Sequence, residues 1–246
     1  MGYDRRMTPT PTPIVHPTLG ALTGNAGHPA GDVLAFVNSG VWIDANHLLH
    51  GPRFTVDLIP ESATQPIIHP VTGIVHTNGS SGTVTPAQSV AYWRRPDVVG
   101  EAHLAIGYEN AIQAVPLNRR ADCNFKANLW HLPSGAAVGA ISLECQDNGA
   151  ATVATTPLTL RQLDLAASAL TAVCVCYGAW CTAPAEWDDS GIGHHILFPE
   201  WWATPRSCPG AARIRQMDAL RRIVADRLVA FGANVAGWHC GMGRPT

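Results

Sequence analysis

The residues best suited to chemistry lie between positions 194 and 210: His194-His195-Ile-Leu-Phe-Pro-Glu-Trp-Trp-Ala-Thr-Pro-Arg-Ser-Cys208-Pro-Gly210. Two imidazoles, the thiol of Cys208 and the guanidinium of Arg206 gather on a segment whose prolines and glycine exclude one continuous helix. Imidazole and thiolate are ligands that zinc prefers, and a catalytic zinc takes three protein ligands and keeps one position for water. This stretch offers two of the three. His76, in Gly73-Ile-Val-His-Thr-Asn-Gly79, is the candidate for the third. A short apolar run there ends in a histidine and breaks into Gly and Ser, as a strand does when it delivers its last side chain to the rim of a sheet. Alone, a histidine pair in a loop is more often solvated or locally hydrogen-bonded than metal-bound.

Amide hydrolysis at neutral pH needs a strong nucleophile, and zinc lowers the pKa of its bound water from about 15.7 to about 7. A base must then take the proton and return it to the leaving amine. Glu144 suits that task. It stands near the end of Gly139-Ala-Ile-Ser-Leu-Glu-Cys145, and an acid inside so apolar a run calls for a reason. The plain alternative is an edge glutamate paired with an arginine.

The elements that must position these groups alternate from residue 61 onward. Residues 67–77 read as a strand broken at Pro70, and Thr85-Pro-Ala-Gln88 as a capping box that opens a helix through Trp93. Residues 103–107 and 111–115 form a hairpin around Tyr108-Glu-Asn110, and 139–145 is apolar enough to be a central strand. Thr159-Leu-Arg-Gln162 is a second capping box, whose helix aligns Leu163, Ala167, Leu170, Cys174 and Tyr177 in one stripe. Residues 211–231 place Ile214, Met217, Leu220, Ile223 and Val224 on one face with arginines opposite, stopped by Gly232. This is an α/β chain with a central mixed β-sheet flanked by helices and an N-terminal extension. The divisions are 1–60, the extension; 61–232, the main domain; and 233–246, a tail. Residues 1–13 are Thr/Pro-rich and extended; 32–37 and 54–59 read as short strands that either pack on the domain or cap it. His28, His47 and His50 are read as structural or exposed, and His69 and His103 as core or supporting residues.

Composition bounds the rest. The 246 residues are 46% hydrophobic and 14% charged, ample for a packed core. A net charge of −2 gives no pull toward nucleic acid or anionic membranes. Residues 163–181, the longest apolar stretch, carry Asp164, Ser168 and Thr171 and are too interrupted to span a bilayer. The polar start, Met1-Gly-Tyr-Asp-Arg-Arg-Met, has no secretory signal peptide, so the chain is expected to be made in cytoplasm. Its seven cysteines are then free by default. Cys176 and Cys181 are near enough in sequence to bridge, but no bridge is assigned.

From residue 67 to 228 the sequence resembles the zinc-dependent N-acetylmuramoyl-L-alanine amidases, the family that includes peptidoglycan recognition proteins and phage endolysins. The resemblance is carried, in family order, by Ile-Val-His76-Thr; Ala102-His103-Leu with the Gly107-Tyr-Glu-Asn turn; Val115-Pro-Leu-Asn-Arg-Arg-Ala121-Asp; Ala140-Ile-Ser-Leu-Glu144; the 159–162 capping box; and His195 to Cys208-Pro-Gly. Gly191-Ile-Gly-His-His195 is similar to the Gly-Ile-Gly-x-His segment of endolysins of phages that infect actinobacteria. That likeness implies His195 rather than His194 as the second ligand, with His76 and Cys208 completing a zinc site. Shorter relatives use the histidine directly after glycine, which would select His194. The resemblance also places a basic residue at Arg206, where it would stabilise the oxyanion; a solvated loop arginine is the alternative. Two departures stand out: Ala102 replaces a tyrosine found in some relatives, and the interval from His195 to Cys208 is longer than in short members, so that Phe198-Pro-Glu-Trp-Trp202 must loop out. Trp201 and Trp202 are candidates for a groove wall or for packing.

The resemblance implies an enzyme that cuts the bond between N-acetylmuramic acid and L-alanine in bacterial peptidoglycan, of phage or prophage endolysin type, acting on the wall after release. The alternative is a non-catalytic peptidoglycan-binding protein on the same fold. Such relatives often lack the cysteine that is present here as Cys208. A purely structural zinc would want four protein ligands, and only three align.

Overall fold

Two nine-residue strands dominate the computed structural model, which describes residues 41–60, 65–67, 69–77, 84–147, 156–204 and 207–230. In chain order the strands are β1 (Trp42–Ile43), β2 (Leu49–His50), β3 (Phe54–Val56), β4 (His69–Thr77), β5 (Leu104–Ile106), β6 (Ala111–Gln113), β7 (Trp130–His131), β8 (Ala137–Cys145) and β9 (Gly191–His194). The main sheet runs β3-β6-β5-β8-β4-β9, and β7 pairs with the start of β8. β4 is parallel to both β8 and β9, β5 is parallel to β8, and the expected hairpin β5–β6 is antiparallel. The central mixed sheet flanked by helices is the architecture read from the sequence. The strand expected at 32–37, His28, the Thr/Pro-rich start and residues 233–246 lie outside the described residues, as does Arg206. Residues 41–60 are woven into the domain: β3 extends the sheet in parallel with β6, and Val41, Ile43, Leu49 and Phe54 join its main core.

Local chemistry sets the helices. Both capping boxes form: Thr85 caps α1 (Pro86–Trp93) and Thr159 caps α2 (Leu160–Tyr177), each threonine accepting the N–H of the glutamine three residues on. Gly178, at φ 71°, ends α2. The stripe expected on α2 is buried except at Tyr177, and so are its flanks, because the helix lies between the sheet and the C-terminal helix. Small residues allow this. A Cβ on Gly73 would stand 2.3 Å from Leu170 Cδ2, so α2 sits directly on β4.

The single helix expected over 211–231 is two: α3 (Ala211–Ile214) and α4 (Met217–Ala230). Gln216 lies at the break, and its side chain bonds both the N–H and the carbonyl of Leu158. Met217, Leu220, Val224 and Leu228 are buried. The reading of arginines on the outer face fails at Arg213, which is fully buried. Its guanidinium donates to the carbonyls of Cys145 (3.0 Å), Gln146 (2.8 Å) and Thr156 (3.3 Å), and stands 3.6 Å from Asp147. It satisfies carbonyls where β8 ends and pairing stops.

His47, His50 and His103 behave as expected. His47 bonds the Tyr177 hydroxyl and His50 bonds Asp44. His103 is buried between Ser142 Oγ and the Arg119 carbonyl. Cys123, Cys145, Cys174, Cys176 and Cys208 are free thiols, so no 176–181 bridge forms. Cys181 is disulfide-bonded, which corrects the expectation of free thiols throughout. No helix among the described residues is long and apolar enough to cross a membrane.

Removing Arg213 takes the guanidinium away from the buried Asp147 and from the terminal carbonyls of β8. Breaking a buried ion pair from one side costs about 3–5 kcal/mol. Arg213→Met is therefore expected to lower the unfolding free energy measured by urea titration by that much, with Arg213→Lys intermediate; an unfolding free energy equal to wild type would show that the clamp carries no stability.

A candidate metal centre at the strand ends

Register builds the site. In the parallel pair β4–β8, His76 is the partner of Glu144, so both side chains leave the same face at the same level. On the other side of β4, Val75 partners His194, and the N–H of His195 donates to the Val75 carbonyl at 3.1 Å. His195 thus continues the ladder beside His76, their rings 4.2 Å apart. Three adjacent strands present Glu144, His76 and His195 in one row at their carboxyl ends, where open α/β sheets bind ligands.

Side-chain alternation separates the two histidines. His194 shares the face of Val75, which packs in the core with α2 and α4. Burial and then the nearby Arg221 charge push its imidazole down to about 4. His195 turns the other way, into the site.

Cys208 arrives from the turn before α3, its sulfur accepting the Thr77 N–H at 3.1 Å. One donor atom each from His76, His195 and Cys208 lies within 4.8 Å of the other two. Tetrahedral zinc with bonds of 2.0–2.3 Å holds its ligands about 3.3–3.8 Å apart, so small side-chain rotations close the set. The donor chemistry fits as well. Asn124 Oδ1 accepts from His76 Nε2 at 2.7 Å, which leaves Nδ1 with its lone pair, 4.0 Å from Glu144 Oε2. Burial, reinforced by His195, holds the His76 imidazole well below its usual range, so it stays neutral as a ligand must. Burial raises the Cys208 thiol, and a cation is what would draw the thiolate out. Burial likewise lifts Glu144 to about 8, the Arg213 charge opposing the rise.

The row forms the floor of a groove of about 1050 Å³. α1 contributes Gln88, Ser89 and Tyr92 to one side. Phe125 and Trp202 line it elsewhere, with Arg120 and Asp122. Trp201 is fully buried instead: its indole N–H donates to the Trp187 carbonyl at 2.8 Å, and its ring would stand 2.6 Å from any Cβ on Gly193. Of the two tryptophans, one packs and one faces the groove.

No protein-family model and no curated protein sequence matches this chain. Solved structures do. Staphylococcus aureus hydrolase AmiA, in complex with its ligand, superposes with a TM-score of 0.54 at 13% identity, over 77% of this chain and 89% of that one. The chain has the fold of that hydrolase. The catalytic domain of XlyA is also similar, with TM-score 0.48 and 16% identity over 70% of this chain and 98% of that one. So is the endolysin N-acetylmuramoyl-L-alanine amidase LysCS from Clostridium intestinale URNW, with TM-score 0.45 and 13% identity over 69% and 95%.

Within the AmiA-like fold, the structure gathers His76, His195, Cys208 and Glu144, and it adds two residues that sequence reasoning missed. Asn124 carried no signal, since it lies in an irregular polar segment. Arg213 did carry one: 213, 217, 220, 224 and 228 fall at the spacing of one helix face.

Metal content after dialysis tests the ladder. His195→Ala and Cys208→Ala are each expected to lose tightly held zinc, whereas His194→Gln keeps it. Asn124→Ala is expected to weaken zinc affinity by about 10- to 100-fold, the usual effect of losing the group that orients a ligand. Zinc lost from His194→Gln and kept in His195→Ala would reverse the assignment.

Proposed function

We infer that the protein is a zinc-dependent hydrolase that cuts the amide between N-acetylmuramic acid and L-alanine in bacterial peptidoglycan, a lysin of phage type that acts on the wall after release. One observation carries the reading: the two histidines and the cysteine converge at the floor of an open groove with a half-buried carboxylate beside them. The chain's resemblance to the amidases and its AmiA-like fold support the same reaction. Among the described residues three donors converge rather than four, which favours a site with an open position over a structural staple. Retention of Cys208 and Glu144 together favours catalysis over binding alone.

His76, His195 and Cys208 would hold the zinc, which would acidify water at the open position and polarise the scissile carbonyl. The chain's own residues do the rest. Glu144 takes a proton from the attacking water at Oε2 and passes it to the leaving nitrogen as the carbon–nitrogen bond breaks, giving a carboxylate on the sugar's lactyl arm and a free amine on alanine. Its burial favours this role, because a carboxyl near neutrality in proton affinity can both accept and donate. Asn124 keeps His76 turned toward the site. Arg206, two residues before Cys208, is the proposed cationic partner of the oxyanion.

Mass analysis of fragments from purified cell wall tests the reaction: wild type should release peptides that begin with free L-alanine. Glu144→Gln should keep its zinc and lose about 10²- to 10⁴-fold in rate. Near wild-type release by that variant would remove Glu144 from the chemistry, and fragments cut within the glycan or the peptide would refute the bond assignment.

A further inference from the structure

Residue 125 is disfavoured twice by its surroundings. The 3₁₀ segment Asp122–Asn128 is interrupted at Phe125, whose backbone takes φ 50° and ψ −115°. A bulky L residue avoids this region and glycine enters it freely. The Phe125 ring is also 48% exposed, although phenylalanine is usually buried, and it lines the groove. Strained residues of this kind persist where neighbours hold them, and they gather at ligand sites. The neighbours here do hold: Asn124 donates its N–H to Asn128 Oδ1 at 2.6 Å while its own side chain fixes His76.

The segment packs against a second 3₁₀ turn, Pro199–Trp201. Trp202 follows that turn and lines the same groove. Its indole N–H is enclosed and has no acceptor among the described residues, a cost that a ligand carbonyl would relieve. The charged lining lies on the other side. Arg120 and Asp122, ion-paired at 2.5 Å, line the groove together with Gly100, just before β5, whereas Trp202 follows β9. The sheet order sets β5 and β9 on opposite sides of the β8–β4 pair.

We propose that Phe125 and Trp202, which line the same groove, form the subsite for the N-acetylated sugar ring of the substrate, and that the stem peptide extends toward Arg120 and Asp122. The assignment rests on the peptidoglycan reading above. A pyranose offers a face of C–H groups that packs on an aromatic ring while its hydroxyls stay in water, and its acetamido carbonyl is an acceptor for the indole. The stem peptide carries carboxylates and amines instead, which match an arginine and an aspartate.

Phe125→Gly separates this role from a structural one, because glycine accepts the backbone that phenylalanine resists. Binding is measured by calorimetry in the Glu144→Gln background, so that the ligand is not consumed, with N-acetylmuramoyl-tetrapeptide and the free tetrapeptide as probes. Phe125→Gly is expected to weaken the muramoyl ligand about tenfold, to leave the free peptide unchanged, and to hold or raise the thermal midpoint. Phe125→Leu should fall between. Equal weakening of both probes, unchanged affinity for the muramoyl ligand, or no binding of it by the background protein would each overturn the subsite. Wall digestion by wild type is scored separately: if it frees no peptide, the amidase reading falls, while the binding comparison still decides the role of Phe125.

Discussion

Parallel pairing of three strands in one register is the constraint on which the site depends. β4 pairs with β8 on one side and with β9 on the other, and the pairing puts Glu144, His76 and His195 on one level. A slip of one residue in either pairing would turn a functional side chain to the opposite face. Apolar burial enforces the register: Val75, Ile141, Leu143 and Ile192 fill the core beneath α2 and α4, while Ile74, Val138 and Ala140 pack with Trp201 on the face that carries the site. The chemistry is thus placed by the same alternation that places the core.

Concentrating polar groups at the end of a dry sheet is unfavourable unless each is bonded, and the structure answers with specific partners. Asn124 bonds His76, the Thr77 N–H bonds Cys208, and Arg213 takes the carbonyls that follow Glu144. Arg213 also lies on the short helix just after the Cys208 turn. One side chain therefore ties the loop that bears the sulfur to the strand that bears the carboxylate. The same dryness keeps His76 neutral and raises Glu144 and Cys208; neutral imidazoles can bind a cation, and a thiol beside one gives up its proton.

Much of this was legible in the residues. Capping boxes announce both helices, an apolar strand ends in His76, and an acid interrupts another at Glu144. Other features were not, for physical reasons. Two adjacent histidines are chemically alike, and where the likeness to the Gly-Ile-Gly-x-His segment selected His195, pairing with Val75 places the two on different faces. Trp201 and Trp202 are likewise neighbours, and the lack of a side chain at Gly193 decides which one is buried. Arg213 falls in the spacing of the apolar stripe of the helix expected over 211–231, yet its charge argued for solvent; free carbonyls at the end of β8 outweighed that preference. Asn124 lies in a segment with no periodicity, so its bond to His76 is a purely tertiary fact.

The central claim is a cation held by two imidazoles and one thiolate with a position left open. X-ray absorption at the zinc edge, on the full chain purified without added metal, measures this directly. The expected spectrum fits two nitrogens at about 2.0–2.1 Å, one sulfur at about 2.3 Å and one further light atom. A shell with no sulfur, or with two or more, would contradict the account.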